Sequence, residues 1–335
     1  MKKMIFAALI VMIMTACNQK NVRQVGGIIL TIKFDQANSN DDKETSLDIM
    51  KARMKVFGVE NPKIIEAENG LYHIEVPLQT DTNLIKNLVA AKGKFEICET
   101  YEGRDVFHDL NSINKIISGL FFDKKISARY YCQNKNFFFC NNLIPGNIAI
   151  KGPVIGYAGK ENLLAIDSML SFKEVIDSLN PSIAFRWTFD AASEKFSKKL
   201  CEECEDYNST VFYTLIAVKS SKDKANVMEG SMVADAEAKV QTENNSNITE
   251  VQIRFKKEGS KTWAEVTKSN VGKSLAVMID NRVYAYPVVQ TEISSGNVSI
   301  TGDFSLNEAK NIAAILKYGE MPVEPAIVKT EVIIK

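Results

Sequence analysis

The chain has 335 residues, 45% hydrophobic and 24% charged, the composition of a globular protein with room for two domains. Its 41 Lys and Arg balance 41 Asp and Glu, and the isoelectric point is near 6.8. Without a basic excess, nucleic acid is not an expected partner.

Residues 1–17 stand apart from the fold. Lys2 and Lys3 form a positive start, and Met4–Met14 is an uncharged apolar run. It is shorter than the ~20 residues a membrane-spanning helix needs. Met14-Thr15-Ala16-Cys17 puts small residues before a cysteine. It resembles a bacterial lipoprotein cleavage box, which implies that Cys17 becomes an acylated N-terminus. No later segment is long and apolar enough for a span, so the expectation is a chain anchored to a membrane and not crossing it.

Asn18–Gln24 reads as a polar tether and Gly26–Phe34 as a strand. Asp41–Phe57 carries Leu47, Met50, Met54 and Phe57 at helical spacing, with Gly58 at the stop. Lys63–Ala67 and Leu71–Val76 flank Asn69-Gly70, a strong hairpin signal. Tyr72, Ile74 and Val76 share a face, leaving His73 on the other side as a surface residue. Asp81 is placed to cap a helix with Leu84, Ile85, Leu88 and Val89 inward, and Lys94–Tyr101 is the expected closing strand. The order is βαββαβ, which predicts an antiparallel ferredoxin-like α+β base.

The middle of the chain is less regular. Leu110, Ile113, Ile116 and Ile117 suggest a short helix. Tyr130–Cys140 is aromatic and contains Phe137, Phe138 and Phe139. That triplet has two readings, a buried strand or an exposed apolar surface for unfolded polypeptide. Ser171 and Glu174 have capping-box spacing ahead of Val175, Ile176 and Leu179. Strand Ile183–Trp187, helix Ala191–Glu205 and strand Val211–Val218 follow. A second such run is Val251–Phe255, Lys261–Ser269 and Leu275–Ile279, and Arg186 aligns with Arg254 as in a degenerate repeat. Lys219–Asn226 and Thr242–Thr249 read as polar turns or linkers.

The final stretch is the most informative. Asp280-Asn281 is a two-residue turn candidate between Leu275–Ile279 and a strand through Val283 and Ala285. Val298–Ile300 is a short strand. Ser305 and Glu308 form a capping box for a helix with Ala309, Ile312, Ala313 and Leu316 on one face. Gly319 ends that helix, with Pro322 and Pro325 beyond it.

Catalytic chemistry has few carriers. There are two histidines, His73 and His108, and no metalloprotease, phosphate-loop or nucleophile-elbow motif. Neither metal nor cofactor is expected. Of six cysteines, Cys98, Cys132, Cys140, Cys201 and Cys204 follow Cys17. That odd number leaves one unpaired thiol or an intermolecular bridge. Cys201 and Cys204 form a CxxC that a thiol oxidoreductase could use. However, it falls late in its helix among Glu202, Glu203, Glu205 and Asp206, whose charges raise a thiol pKa. A local disulfide or core cysteines are the alternatives.

VGKSLAVMIDNRVYAYPVVQ and ITGDFSLNEAKNIAAILKYGEMPVEPAIV, in that order and spacing, resemble the periplasmic region of SecD. SecD is the membrane-bound accessory subunit of bacterial protein export. RMKVFGVENPKI, the Gly26-Gly27 pair and GSMVADAEAKVQTENNSNITEVQIRF resemble other stretches of that family. The resemblance covers roughly Gly26–Tyr101 and Glu229–Val332. It implies a base made of residues 18–101 and 304–335, with residues 102–303 inserted as a head. It also implies a protein of the cell envelope facing the periplasm, without the membrane part that carries the proton path. Its expected function is non-catalytic binding of unfolded or translocating polypeptide, alongside membrane proteins of the export machinery. A structural scaffold and a thiol oxidoreductase are the alternatives.

Overall fold

The computed structural model describes residues 22, 26–34, 39–59, 62–77, 81–122, 142–147, 149–203, 211–220, 226–243, 246–301 and 305–334. It is mixed α+β. Within each of the four sheets formed among the described residues, every strand pair is antiparallel.

The first sheet uses β1 (Gly27–Phe34), β2 (Lys63–Glu66), β3 (Leu71–Pro77) and β15 (Pro325–Ile333), in the order β15-β1-β3-β2. Ile28, Leu30, Ile32 and Phe34 alternate onto one face of β1 and meet Ile74 and Val76 of β3. Helices α1 (Asn40–Lys55) and α2 (Thr82–Ala90) cover that face with Met50, Met54, Ile85 and Leu88, all fully buried. Asn69 and Gly70 turn the β2–β3 hairpin at φ 60° and 69°. The Asp81 carboxylate caps α2 by accepting the Asn83 N–H at 2.8 Å.

The predicted closing strand goes elsewhere. β4 (Phe95–Glu99) pairs with β12 (Leu275–Ile279) and β9 (Asn226–Glu229), and β15 takes the place beside β1. The reason is burial. Phe95 and Ile97 are apolar on one side of β4 and Cys98 is buried on the other, so the strand needs cover on both faces. β15 exposes several of its residues and suits an edge. With β13 (Arg282–Ala285) the second sheet runs β13-β12-β4-β9. β12 is buried along its whole length.

On one side of this sheet lies a third, β10-β11-β14: β10 (Val233–Glu243), β11 (Ser246–Phe255) and β14 (Asn297–Thr301). The two sheets share a core with α7 (Lys257–Ser269) and α8 (Leu306–Tyr318). On the other side Cys98, Ala276, Met278 and Val283 meet Ile216 and Val218 of β8 (Phe212–Lys219). β8 belongs to the fourth sheet, β5-β6-β8-β7, with β5 (Ile144–Pro145), β6 (Val154–Gly159) and β7 (Ile183–Trp187). Helices α3 (Phe107–Phe122), α4 (Leu163–Leu170) and α5 (Lys173–Ser178) pack on it, and α6 (Glu194–Glu203) follows β7.

Helix α8 joins the base to this assembly. The capping box is formed: Ser305 Oγ accepts the Glu308 N–H at 3.2 Å, and Glu308 Oε2 accepts the Ser305 N–H at 2.8 Å. Ala309, Ile312, Ala313, Ile315 and Leu316 enter the core of the second and third sheets, while Ala314 enters the core of the base. The alanines let the helix sit close to neighbours on two sides. Beside it Arg53 is completely buried. Its guanidinium donates to the carbonyls of Ala91 (2.6 Å), Lys92 (3.1 Å) and Gly319. Burial lowers its pKa to about 10, and Asp280 pulls the other way.

Other expectations change. Ser171 does not cap α5; Phe172 stands at that position, and the Ser171 hydroxyl donates to the Ser168 carbonyl at 2.7 Å, closing α4. Thr242–Thr249 is not a linker, since the β10–β11 ladder runs out to Glu243 and Ser246. The two β-helix-β runs are not spatial repeats. β7 and β8 pair directly, whereas β11 and β12 lie in different sheets.

At the seam between the second and fourth sheets, Glu99 pairs with Lys219 and accepts the Asn270 amide at 3.2 Å. Burial pushes Glu99 up, but these hydrogen bonds and the Lys219 charge together hold it below the usual glutamate range. A depressed carboxylate pKa adds stability above the unfolded pKa and loses it as pH falls through the folded one. Glu99→Gln is therefore expected to flatten the stability profile below about pH 4.5. Because the pair is partly exposed, the effect at neutral pH stays under about 1 kcal/mol. Urea midpoints across that range, equal in slope for both proteins, would contradict it.

Candidate functional site

The site is set up by the β12–β13 hairpin. Asp280 and Asn281 turn it at φ 49° and 64°, as their tolerance of the left-handed region predicts. The Asp280 carboxylate accepts the N–H groups of Gly93 (2.9 and 3.0 Å) and Lys94 (2.8 Å), tying the turn to the entry of β4. Beyond Ala285 the chain stays close to β12. The Leu275 N–H donates to the Pro287 carbonyl at 3.1 Å, and the Val289 N–H to the Lys273 carbonyl at 2.9 Å. The Phe189 N–H takes the Val283 carbonyl at 2.8 Å, so the outer edge of β13 is occupied at its start. The Phe189 and Tyr284 rings stack there, 4.3 Å apart and 13° from parallel.

Facing this segment is β14, the last strand of the third sheet. No strand pairs with its outer edge among the described residues. Between the two lies a cleft of about 580 Å³, within the range of ligand-binding clefts. Tyr284, Tyr286 and Val288 line one side, Val298 and Ile300 the other, with buried Trp263, Leu275 and Val277 also lining it. No lining residue is charged. Burial raises the pKa of both tyrosines, with Asp280 and Asp190 adding to the effect at Tyr284. The cleft is therefore neutral at physiological pH. Trp263 is 4% exposed, and its Nε1–H finds no acceptor among the described residues.

This arrangement offers apolar surface, an open backbone edge and one unused donor. It lacks a nucleophile–base pair. Among the described residues no group of His, Cys, Asp and Glu is placed to hold a metal ion, and no helix is long and apolar enough to cross a membrane.

Cys17, Phe137, Phe138, Phe139 and Cys204 lie outside the described residues, as does the side chain of Cys201 in α6. Cys98 is buried, and burial pushes its thiol up to about 12. It stays protonated and unreactive at neutral pH. His73 is half-buried instead of exposed, its Nδ1 3.0 Å from Thr31 Oγ1. Reading from sequence missed the cleft. Its one local signal is the VYAYPVV run, where Pro287 cannot donate to a ladder and apolar residues occupy both alternating positions.

Residues 213–323 match the family model of the SecDF P1 head subdomain, a span that contains the whole cleft. SecD, a protein translocase subunit, from Calditerrivibrio nitroreducens is 33% identical over 138 residues, covering 41% of this chain and 25% of that protein. SecD from Leptotrichia buccalis is 36% identical over 107 residues, 32% of this chain and 26% of that one. The Thermus thermophilus SecDF is 38% identical over 97 residues. The match thus spans about a quarter of the length of the first two relatives. A crystal structure of SecDF in a super-membrane-facing form aligns over 93% of this chain and 31% of its own, at 18% identity and TM-score 0.49. The similarity to the SecD periplasmic P1 region, first read from the motifs, is shown by the family and relative matches.

Proposed function

We propose that this chain, which carries a SecD-type periplasmic P1 region, binds non-native or translocating polypeptide as a non-catalytic accessory of protein export or envelope assembly. The cleft between β13–Val288 and β14 supports the reading most strongly. An acceptor of many sequences must recognise what all chains share. A free strand edge takes any backbone, and a neutral apolar lining takes varied side chains. Ordering a flexible chain costs free energy, so the affinity should be modest. We read the base as ferredoxin-like, built from residues 18–101 and 304–335 with β15 as its fourth strand. Residues 102–303 form the head, whose sheet borrows β4.

The test is binding of a reduced, unfolded secretory protein to the intact chain, with its folded form as control. Preference for the unfolded client is expected. Equal or absent binding of both would sink the reading, leaving an interaction scaffold. Trp263→Phe adds a finer outcome. It removes a donor that has no partner among the described residues, so stability should change little through lost hydrogen bonding. If Nε1 donates to a client carbonyl, affinity falls several-fold; unchanged affinity would remove Trp263 from the contact.

Attachment is a separate expectation resting on Lys2, Lys3, the Met4–Met14 run and the residues before Cys17. Cells fed labelled fatty acid should label the wild type and not Cys17→Ser. Equal label in both would remove the anchor and leave the cleft untouched.

A further inference from the structure

We infer that β15 is a self-recognition edge, at which a second copy of this chain pairs antiparallel to extend the base sheet across a two-fold axis. β15 is the terminal strand of its sheet, and among the described residues nothing pairs with its outer edge. Val328, Val332 and Ile334 are 53%, 56% and 85% exposed, an apolar load that a solvated edge strand does not need.

The sequence of the strand selects the partner. Residues 327–333 read Ile-Val-Lys-Thr-Glu-Val-Ile. Run antiparallel to itself about Thr330, this segment sets Lys329 against Glu331 of the copy and Val328 against Val332. Thr330 meets itself at the axis. Each is a favourable cross-strand combination, and the two-fold repeats each off-axis pair. Lys329 and Glu331 both lie on the sheet face away from the base core, opposite Thr31 and Ile29 of β1. Their charges, 3.0 Å apart within one strand, would meet the same pair in reverse order, giving alternating signs.

A bulge interrupts the β1 ladder beside Val328, between the Lys329 and Ile327 pairings. Bulges and edge charges deter pairing with arbitrary strands. A strand that places a glutamate opposite Lys329 and a lysine opposite Glu331 escapes the charge penalty, and the chain's own β15 does so. A contact this small gives a weak, concentration-dependent dimer.

The experiment is sedimentation of the full chain in detergent over a concentration series. Wild type is expected to dimerise. Lys329→Glu alone and Glu331→Lys alone should each remain monomeric, because like charges then face across the axis. An equimolar mixture of the two variants should dimerise again, since the two acidic side chains of the first then face the two basic side chains of the second. A wild type that stays monomeric up to about 1 mM (the weak limit of useful affinity) overturns the inference. So does a dimer insensitive to these substitutions, or a mixture that does not recover. The recovery excludes a purely internal role of the Lys329–Glu331 pair, which no mixing would restore.

Discussion

Arg53→Met is expected to destabilise the protein by about 2–4 kcal/mol, read as a lower urea midpoint. The guanidinium reaches three carbonyls from two separate segments. Without it, the Lys92 carbonyl keeps the Met321 N–H at 2.8 Å, while those of Ala91 and Gly319 lose this donor. A buried carbonyl without a partner costs about 1–3 kcal/mol. Part of that is offset, because burial of the guanidinium is itself unfavourable and its Nε has no partner among the described residues. Lysine cannot reproduce the planar fork, so Arg53→Lys should recover less than half of the loss. Gly93 reports on the same contact. Its φ is 88°, and a Cβ there would stand 2.2 Å from Arg53 Nη2 and 3.0 Å from the Gly319 carbonyl. Gly93→Ala should be severe in the wild type and milder in Arg53→Met, with a coupling above about 0.5 kcal/mol. Strictly additive effects, or an Arg53→Met protein of unchanged midpoint, would contradict this account.

Val288→Asp is expected to weaken binding of an unfolded client at least tenfold, about 1.4 kcal/mol, while changing stability by less than about 0.5 kcal/mol. Val288 is 47% exposed and lines the cleft. In the free protein the new carboxylate stays in water. Covered by a client, it would be desolvated beside neutral, apolar neighbours with no cation in the lining to pair with. Val298→Asp on the opposite wall should act in the same direction. Leu164→Asp, at a residue 79% exposed on α4 and outside the cleft, is the control and should bind as the wild type does. If the control loses as much affinity as Val288→Asp, generic surface hydrophobicity is responsible and the cleft is not the site.

Local chemistry was legible from the residues alone. Asn69-Gly70 and Asp280-Asn281 adopt positive φ because side chains of their type tolerate it. Asp81 and Ser305 cap helices because each presents an oxygen to free amides one turn ahead. The SecD likeness was also readable, since its motifs are contiguous stretches. Tertiary structure decided what depended on distant partners. Phe95–Glu99 has the same local character whether it closes the base or enters the head. Only the buried faces of Leu275–Ile279, far along the chain, draw it into the second sheet. Arg53 looks like one more charge on an amphipathic helix until Gly319 and the Ala91–Lys92 carbonyls converge on it. The cleft belongs to no single stretch. It exists because two sheets that share one core end beside each other with an edge uncovered, and side-chain periodicity carries no record of which edges remain open.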